Sequence, residues 1–211
     1  MNPNQTPIQA LVNGTHSASI SLLDRGLSYG DGVFRTMPVH KGLPASWQLH
    51  YQKLNHDCNA LKIQCPDEQT LLQDIQSLFA GADGVAKIIV TRGETARGYA
   101  YPADLASNRM VIKTDLPEYP KNRFEQGVSL HLCALRLAHQ PLLAGIKHLN
   151  RLENVLARSE WTDSSIADGV LLDADDLVIE CTMSNIFARY GKQVLTPKLS
   201  LCGVSGVTRE R

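Results

Sequence analysis

The stretch AGIKHLNRLENVLARSE, residues 144 to 160, connects an apolar, strand-like run at residues 128 to 137 to a helical pattern. Lys147 lies near its start, after an Ala144-Gly145 pair that permits close approach of the backbone. A lysine between apolar neighbours at such a junction is partly desolvated, and desolvation disfavours the ammonium form. The neutral amine is then accessible near neutral pH, as Schiff-base chemistry requires. A loop lysine is more often structural than catalytic, so the rest of the chain must decide.

The helical pattern that follows the lysine predicts a helix reaching about Asp163. Leu152, Val155 and Leu156 have the spacing of a single buried face. Asn150 is a suitable N-cap, because its side chain can accept a hydrogen bond from an early helical N–H group.

The overall charge of the chain argues against two classes of partner. Among 211 residues, 21 Lys and Arg balance 21 Asp and Glu. A neutral chain offers no electrostatic basis for binding nucleic acid or an anionic membrane. No apolar run approaches membrane-spanning length, and the polar opening MNPNQTPIQ is unlike a signal peptide.

The cysteines favour a reducing, cytoplasmic location. They are odd in number and lack the spacing of a metal motif, so we expect reduced packing residues and no metal. They are Cys58, Cys65, Cys133, Cys181 and Cys202.

The first part of the chain predicts a small α+β domain over residues 1–114, followed by a linker at 115–124 with two prolines and several charges. Asn13-Gly14 is a strong hairpin signal, and the glycine-bearing segment DRGLSYGDGVF suggests an irregular loop. The predicted strands are 8–12, 18–23, 33–39, 43–47, 86–91 and 110–113, and the predicted helices are 48–62 and 67–81.

Residues 125–211 form the predicted second domain, which is rich in β-strands. Strands are expected at 128–137, 169–173 and 177–181, with a hairpin of 186–189 and 193–196 around Gly191. The closing CGVSGVTRER resembles a glycine loop that opens a helix, whose free N–H groups favour a phosphate. A plain turn is the simpler alternative.

Three features together suggest a binding site for pyridoxal 5′-phosphate. Lys147 supplies the imine-forming amine, and the segment at Val207-Thr208 supplies a phosphate cradle, with Lys53 as a second phosphate partner. Glu180 ends an apolar strand, and a buried carboxylate there needs a partner. A protonated pyridine nitrogen is such a partner, and the carboxylate keeps the ring an effective electron sink.

Five ordered motifs carry a resemblance that covers nearly the whole chain from about residue 11. They are DRGLSYGDGVF, TRGETARGY, LAGIKHLNRLENVLARSE, VIECTMSNIF and GVSGVTR. The chain resembles the fold type IV pyridoxal-phosphate enzymes, which include branched-chain and D-amino acid aminotransferases and 4-amino-4-deoxychorismate lyases. His148, within LAGIKHLNRLE, is most like the lyase subgroup, since aminotransferases more often have a small or hydroxyl residue after the lysine.

The resemblance implies roles for individual residues. Lys147 would be the Schiff-base lysine and general acid/base, and Glu180 the partner of the pyridine nitrogen. Val204 would lie against the cofactor ring, while Val207 and Thr208 would bind the phosphate.

The first domain would contribute residues to the same site. Relatives usually have an arginine where this chain has Lys53, which keeps the charge but lacks the bidentate fork. Arg97 and Tyr99, in the RGY motif, and Tyr29, on the facing loop, match positions near the substrate entrance.

The resemblance also implies the architecture and the activity. The fold would be a two-domain α+β fold whose second, barrel-like domain is incomplete at its C-terminal end, and the enzyme would be a cytoplasmic homodimer acting on a small molecule. The expected reaction converts 4-amino-4-deoxychorismate to 4-aminobenzoate and pyruvate in folate biosynthesis. The alternatives are a D-amino acid or branched-chain aminotransferase and a catalytically inactive remnant.

Overall fold

The computed structural model describes residues 9 to 210, which form two compact units. The first ends at Pro117 and the second begins at Glu118, within the stretch from which the sequence predicts a linker. The end of that stretch enters a short helix, α4 (Asn122–Gln126). Residues 1 to 8, which include the start of the first predicted strand and most of the polar opening, lie outside the described residues, as does residue 211.

The first unit is a six-stranded antiparallel sheet with three helices. The strand order is β2-β1-β6-β5-β3-β4. The strands are β1 (Gln9–Val12), β2 (Thr15–His16), β3 (Gly32–His40), β4 (Leu43–Pro44), β5 (Gly84–Thr91) and β6 (Asn108–Thr114). The helices are α1 (Arg25–Tyr29), α2 (Trp47–Ala60) and α3 (Glu68–Phe79).

The central strands and longer helices of this unit follow their sequence patterns. Alternate residues of β5 are buried, as expected for a strand with one face on a core. Helix α3 begins after Asp67, whose carboxylate accepts the Thr70 N–H at 3.1 Å. Leu71, Ile75 and Phe79 of α3 are almost completely buried and recur at intervals of four residues, so they form one apolar face.

The start of the chain differs from the prediction. The turn at Asn13-Gly14 is confirmed, with φ values of 51° and 83°, but β2 pairs immediately after it. The predicted strand at 18–23 is therefore wrong; its side chains are largely exposed, and no ladder is formed there. The predicted irregular loop contains α1, which Asp24 caps by accepting the Gly26 N–H at 2.7 Å. The predicted strand 43–47 is limited to β4, since α2 begins at Trp47.

The second unit contains a three-stranded sheet and a separate hairpin. In the sheet, β7 (Ser129–Leu137) runs parallel to β8 (Ile166–Asp173), and β9 (Val178–Cys181) pairs antiparallel with β8. The hairpin joins β10 (Ala188–Tyr190) to β11 (Gln193–Leu195). A 3-10 helix, Val207–Glu210, follows the glycine loop. The mixed helix and strand content of both units confirms the predicted α+β class.

Helix α5 (Leu152–Arg158) corrects the prediction for the segment after the lysine. Its N-cap is Arg151, and no side chain caps it, so Asn150 does not have the expected role. The predicted buried face is also wrong, because Leu152, Val155 and Leu156 are 74%, 61% and 59% exposed. The two-turn helix instead packs through Ala157, which belongs with Trp161 and Leu171 to the core of this unit.

Candidate active site

Backbone hydrogen bonds place the lysine segment beside the terminal glycine loop. The Gly145 N–H donates to the Gly203 carbonyl at 2.9 Å, and the Ser205 N–H donates to the Gly145 carbonyl at 3.0 Å. Gly145 and Val204 thus form a short parallel bridge. Lys147, two residues after this bridge, is half-buried between the buried residues Ile146 and His148.

Glu180, on β9, is a buried charged residue of the second unit. It is only 3% exposed, and its Oε2 accepts the Val204 N–H at 2.8 Å. Burial raises the pKa of this carboxyl to about 7, although the Val204 hydrogen bond and the charges of Arg151 and Lys147 act in the opposite direction. A buried acid that titrates near neutrality is poised to pair with a cation.

The glycine loop passes close to Glu180, and its conformation leaves no room for a side chain at Gly203. Gly203 has a φ of 81°, and a Cβ there would lie 2.6 Å from Ile179 Cγ2. A substitution would therefore be strained by both backbone and contact. The loop consequently delivers the Val204 N–H directly to the carboxylate.

Asn185 is a residue of this site that the sequence analysis missed. Its Nδ2 donates to the Val204 carbonyl at 2.7 Å, and its Oδ1 accepts the Gly206 N–H at 2.9 Å. The side chain holds both ends of the loop that carries Val204. The sequence feature that could have indicated Asn185 is its position in TMSN, directly after the strand that bears Glu180. Polar side chains are common where the chain leaves a buried strand.

A cavity of about 280 Å³ adjoins Glu180 within the second unit. Its wall includes Glu180, Gly203, His148 and Arg151, whereas Lys147 is not among the lining residues. Arg151 Nε donates to the His148 carbonyl at 3.1 Å, and its guanidinium also contacts the His148 ring. Burial lowers the pKa of Arg151, against the attraction of Glu180 and Glu153. Arg151 was also missed, since one arginine in a helical pattern carries no distinctive signal.

The predicted phosphate cradle adopts a 3-10 turn. Val207 is buried and Thr208 is exposed at the start of this turn. Gly206 precedes them, and a Cβ at that position would collide with Asn185 Oδ1. The structure therefore places Val204, Val207 and Glu180 around one loop, while their roles toward a cofactor stay predictions.

Lys53 lies in the first unit, on α2. It is 5% exposed, and its ammonium forms an ion pair with Asp57, which also bonds to Arg35. The ion pair keeps a buried cation in place, as burial requires. Its expected contact with a phosphate stays a prediction.

The three predicted substrate residues lie together in the first unit. The Tyr29 hydroxyl accepts the Gly98 N–H at 3.0 Å, and the rings of Tyr29 and Tyr99 are 5.4 Å apart. Arg97, between Thr95 and Gly98 in the same loop, is exposed, and so is Tyr99. Their place beside Lys147 stays a prediction.

A buried charge network anchors that loop. Arg25 donates to the carbonyls of Gly98 and Tyr99 at 3.0 and 3.1 Å, and its Nε contacts Asp31 at 2.9 Å. Arg92 bonds to both oxygens of Asp31. Burial would raise the pKa of Asp31, but hydrogen bonds and charges from the two arginines outweigh it and hold that pKa below its usual value.

No helix within residues 9 to 210 has the length and apolar character needed to cross a membrane.

Comparison with known proteins yields one family and several similar enzymes. A family model described as "Amino-transferase class IV" matches residues 32–211. The chain is 38% identical over 202 residues to "Aminodeoxychorismate lyase" of Vibrio harveyi, covering 95% of this chain and 74% of that protein. It is 25% identical to "D-alanine aminotransferase" of Bacillus licheniformis, covering 90% and 67%.

One solved structure is similar to this chain in both fold and sequence. The crystal structure of 4-amino-4-deoxychorismate lyase from Pseudomonas aeruginosa matches with a TM-score of 0.91 and 45% identity. The match covers 95% of this chain and 74% of that one. The fold predicted from the sequence motifs is thereby confirmed.

Proposed function

Since the chain belongs to the aminotransferase class IV family, we propose that it is a pyridoxal-phosphate-dependent 4-amino-4-deoxychorismate lyase that releases pyruvate and 4-aminobenzoate in folate biosynthesis. The observation that carries the proposal is the buried Glu180, with a pKa of about 7, acted on by the charge of Lys147. The choice of lyase rests on 45% and 38% identity to two lyases, against 25% to the aminotransferase.

The residues of the second unit fit the cofactor. A positive ring nitrogen beside Glu180 would favour its carboxylate form and so relieve the unfavourable burial of that charge. Gly203 has no side chain to occupy the space around Glu180. When bound, pyridoxal phosphate supplies an electron sink for charge developing on the substrate.

Lys147 would hold the cofactor aldehyde and move the protons of the reaction. With the substrate bound, the Lys147 amine would take the proton from the amine-bearing carbon of the substrate. The same amine would then protonate the departing enolate. Lyases and aminotransferases would share the first proton transfer to Lys147, so we expect the substrate pocket to decide between the two reactions.

Other residues of the chain would position cofactor and substrate. We assign Val204 to one face of the ring, and Val207, Thr208 and Lys53 to the phosphate. Backbone N–H groups at the 3-10 turn and the lysine ammonium are suited to a dianion.

Arg97, Tyr29 and Tyr99 would bind the substrate. Arg97 would bind a substrate carboxylate because its guanidinium is exposed and offers paired donors. Tyr99, on the same anchored loop, packs against Tyr29 at the end of α1, which gives that surface a defined shape.

A product assay tests the proposal. Purified protein loaded with cofactor should convert 4-amino-4-deoxychorismate to 4-aminobenzoate and pyruvate. Lys147→Ala should abolish turnover and the visible absorbance of the lysine-bound cofactor. Lys192→Ala, which changes an exposed lysine of the same unit, should retain both.

Two results would refute the lyase assignment. Consumption of D-alanine or leucine with 2-oxoglutarate, without 4-aminobenzoate, would make the protein an aminotransferase. Absence of both activities and of any cofactor absorbance would identify an inactive remnant.

We further propose a homodimer in the cytoplasm. The exposed apolar residues Leu152, Val155 and Leu156 support a subunit contact, because exposed apolar side chains clustered on one helix favour association. The five cysteines are all thiols, which suits a reducing compartment. Sedimentation equilibrium should give twice the chain mass, and a monomer at all concentrations would contradict the dimer.

A further inference from the structure

Three side chains with metal-binding atoms converge in the second unit. Leu137 on β7 is paired with Asp173 at the end of β8. His139 lies two residues beyond Leu137, and the next residue, Gln140, donates its N–H to the Leu201 carbonyl of the terminal loop at 2.7 Å. This backbone pairing brings His139, Asp173 and Cys202 together from three distant segments.

The donor atoms of this cluster are close and organised. One ring nitrogen of His139, one oxygen of Asp173 and the sulfur of Cys202 all lie within 4.8 Å of one another. The His139 Nε2 contacts Asp173 Oδ2 at 3.1 Å. The other carboxylate oxygen accepts the N–H groups of Asp175 and Leu177, each at 3.0 Å. Asp173 is therefore fixed with Oδ2 toward the histidine.

Burial distinguishes this cluster from a surface group of polar residues. Asp173 is 2% exposed and Cys202 is 7% exposed, whereas the side chain of His139 is 27% exposed. The histidine thus leaves an entry path from solvent. The buried sulfur is poorly placed to attack a substrate, so nucleophilic chemistry does not suit the cluster.

We propose that His139, Asp173 and Cys202 form a Zn²⁺ site, with water or a further donor in the fourth position. Sulfur, imidazole and carboxylate are the protein ligands that zinc prefers. Tetrahedral zinc places its ligand atoms about 3.5 Å apart, so the observed cluster needs only a small contraction. The thiol proton passes to solvent when the sulfur binds the ion.

The surrounding charges favour a cation. Burial, together with the negative charges of Asp173, Glu180 and Glu153, raises the pKa of the Cys202 thiol to about 11. A divalent ion would offset the mutual repulsion of these groups and of a thiolate. The alternative is that His139 and Asp173 form only a hydrogen-bonded pair, while Cys202 serves as a packing residue in the core of the unit.

The position of Cys202 gives the site a consequence for the loop beside Glu180. Cys202 immediately precedes Gly203 and Val204, and the Val204 N–H binds Glu180. A zinc ion would tie this loop to β8 and to the segment after β7. The ion would therefore stabilise the second unit against unfolding.

Cobalt spectroscopy on the full chain tests the proposal. Co²⁺ substitutes for zinc and gives a charge-transfer band only when a thiolate binds it. We expect one equivalent of Co²⁺ to produce this band and Zn²⁺ to abolish it by displacement. Cys202→Ser should lose the band, and His139→Ala should weaken Co²⁺ binding by at least about tenfold.

Cys65→Ser is the matched control, since it makes the same substitution at a partly buried thiol of the first unit, which interacts with Cys58. This variant should keep the band. Circular dichroism verifies folding, and His139→Ala, at a partly exposed position, provides the test if Cys202→Ser does not fold. The proposal is overturned if no band appears, if it is lost in Cys65→Ser, or if His139→Ala binds Co²⁺ as tightly as the unmodified chain.

Discussion

Replacing Glu180 by Gln should change how the stability of the cofactor-free protein depends on pH. Glutamine keeps an oxygen that can accept the Val204 N–H but cannot ionise. In the folded chain, burial raises the pKa of Glu180 from its ordinary 4.5 to about 7. The folded state therefore binds this proton more tightly than the unfolded state does, and the associated stability is present at low pH and lost as pH rises from 4.5 to 7.

The structure sets the size of the effect. Each pKa unit corresponds to about 1.4 kcal/mol, so the full shift is worth roughly 3 kcal/mol. Urea unfolding of both proteins at a series of pH values from 4 to 8 measures it, with equal m-values required for comparison. Relative to the unmodified chain, Glu180→Gln should gain about 3 kcal/mol of unfolding free energy across this range.

The reasoning would be refuted if the difference in unfolding free energy between the two proteins did not change with pH. Such a result would mean that Glu180 is hydrated and titrates normally. The same substitution should have an unfavourable effect on cofactor binding. Loss of the charge opposite the ring nitrogen removes a charge-assisted hydrogen bond of about 1.5–3 kcal/mol. Glu180→Gln should therefore weaken pyridoxal-phosphate binding by at least about tenfold. Unchanged binding would place the ring nitrogen elsewhere.

Three further substitutions probe the supporting structure. Asn185→Ala removes the two side-chain bonds from Asn185 to the glycine loop and should cost about 1–3 kcal/mol of unfolding free energy; Asn154→Ala, which loses one bond to the Thr182 carbonyl, is its control in urea unfolding, and equal losses would contradict the role of Asn185. Gly203→Ala should lower both thermal stability and cofactor affinity, because of its φ of 81° and the 2.6 Å approach to Ile179; unchanged melting would show that the loop relaxes freely. Asp31→Ala leaves two buried arginines without their carboxylate and should destabilise the protein by about 3–5 kcal/mol at pH 7. Because the pKa of Asp31 is lowered, this loss should shrink as pH falls through that pKa, and a constant loss in acid would contradict it.

Local sequence patterns predicted the structure correctly where residues close together in the chain determine it. The hairpin at Asn13-Gly14 follows from residues that tolerate positive φ. Helix α3 follows from an apolar spacing with Asp67 before it. Motif order also identified the fold and singled out Lys147 and Glu180 as candidate residues of one site.

Other features depend on contacts between distant segments, which local patterns do not contain. Leu152, Val155 and Leu156 have the spacing of a buried face, yet α5 packs through Ala157 because the core of this unit lies on that side. Likewise, the role of Asn185 depends on its hydrogen bonds to the terminal loop, which is distant in sequence.

The sequence by itself determined the fold and most of the main strands and helices, and it singled out Lys147 and Glu180 as candidates for the imine lysine and its partner carboxylate. Only the tertiary structure decided the state of that carboxylate. Glu180 titrates near neutrality because β9 and the glycine loop remove it from water. Desolvation is a property of everything that packs around a group, so no spacing within the chain could have supplied it.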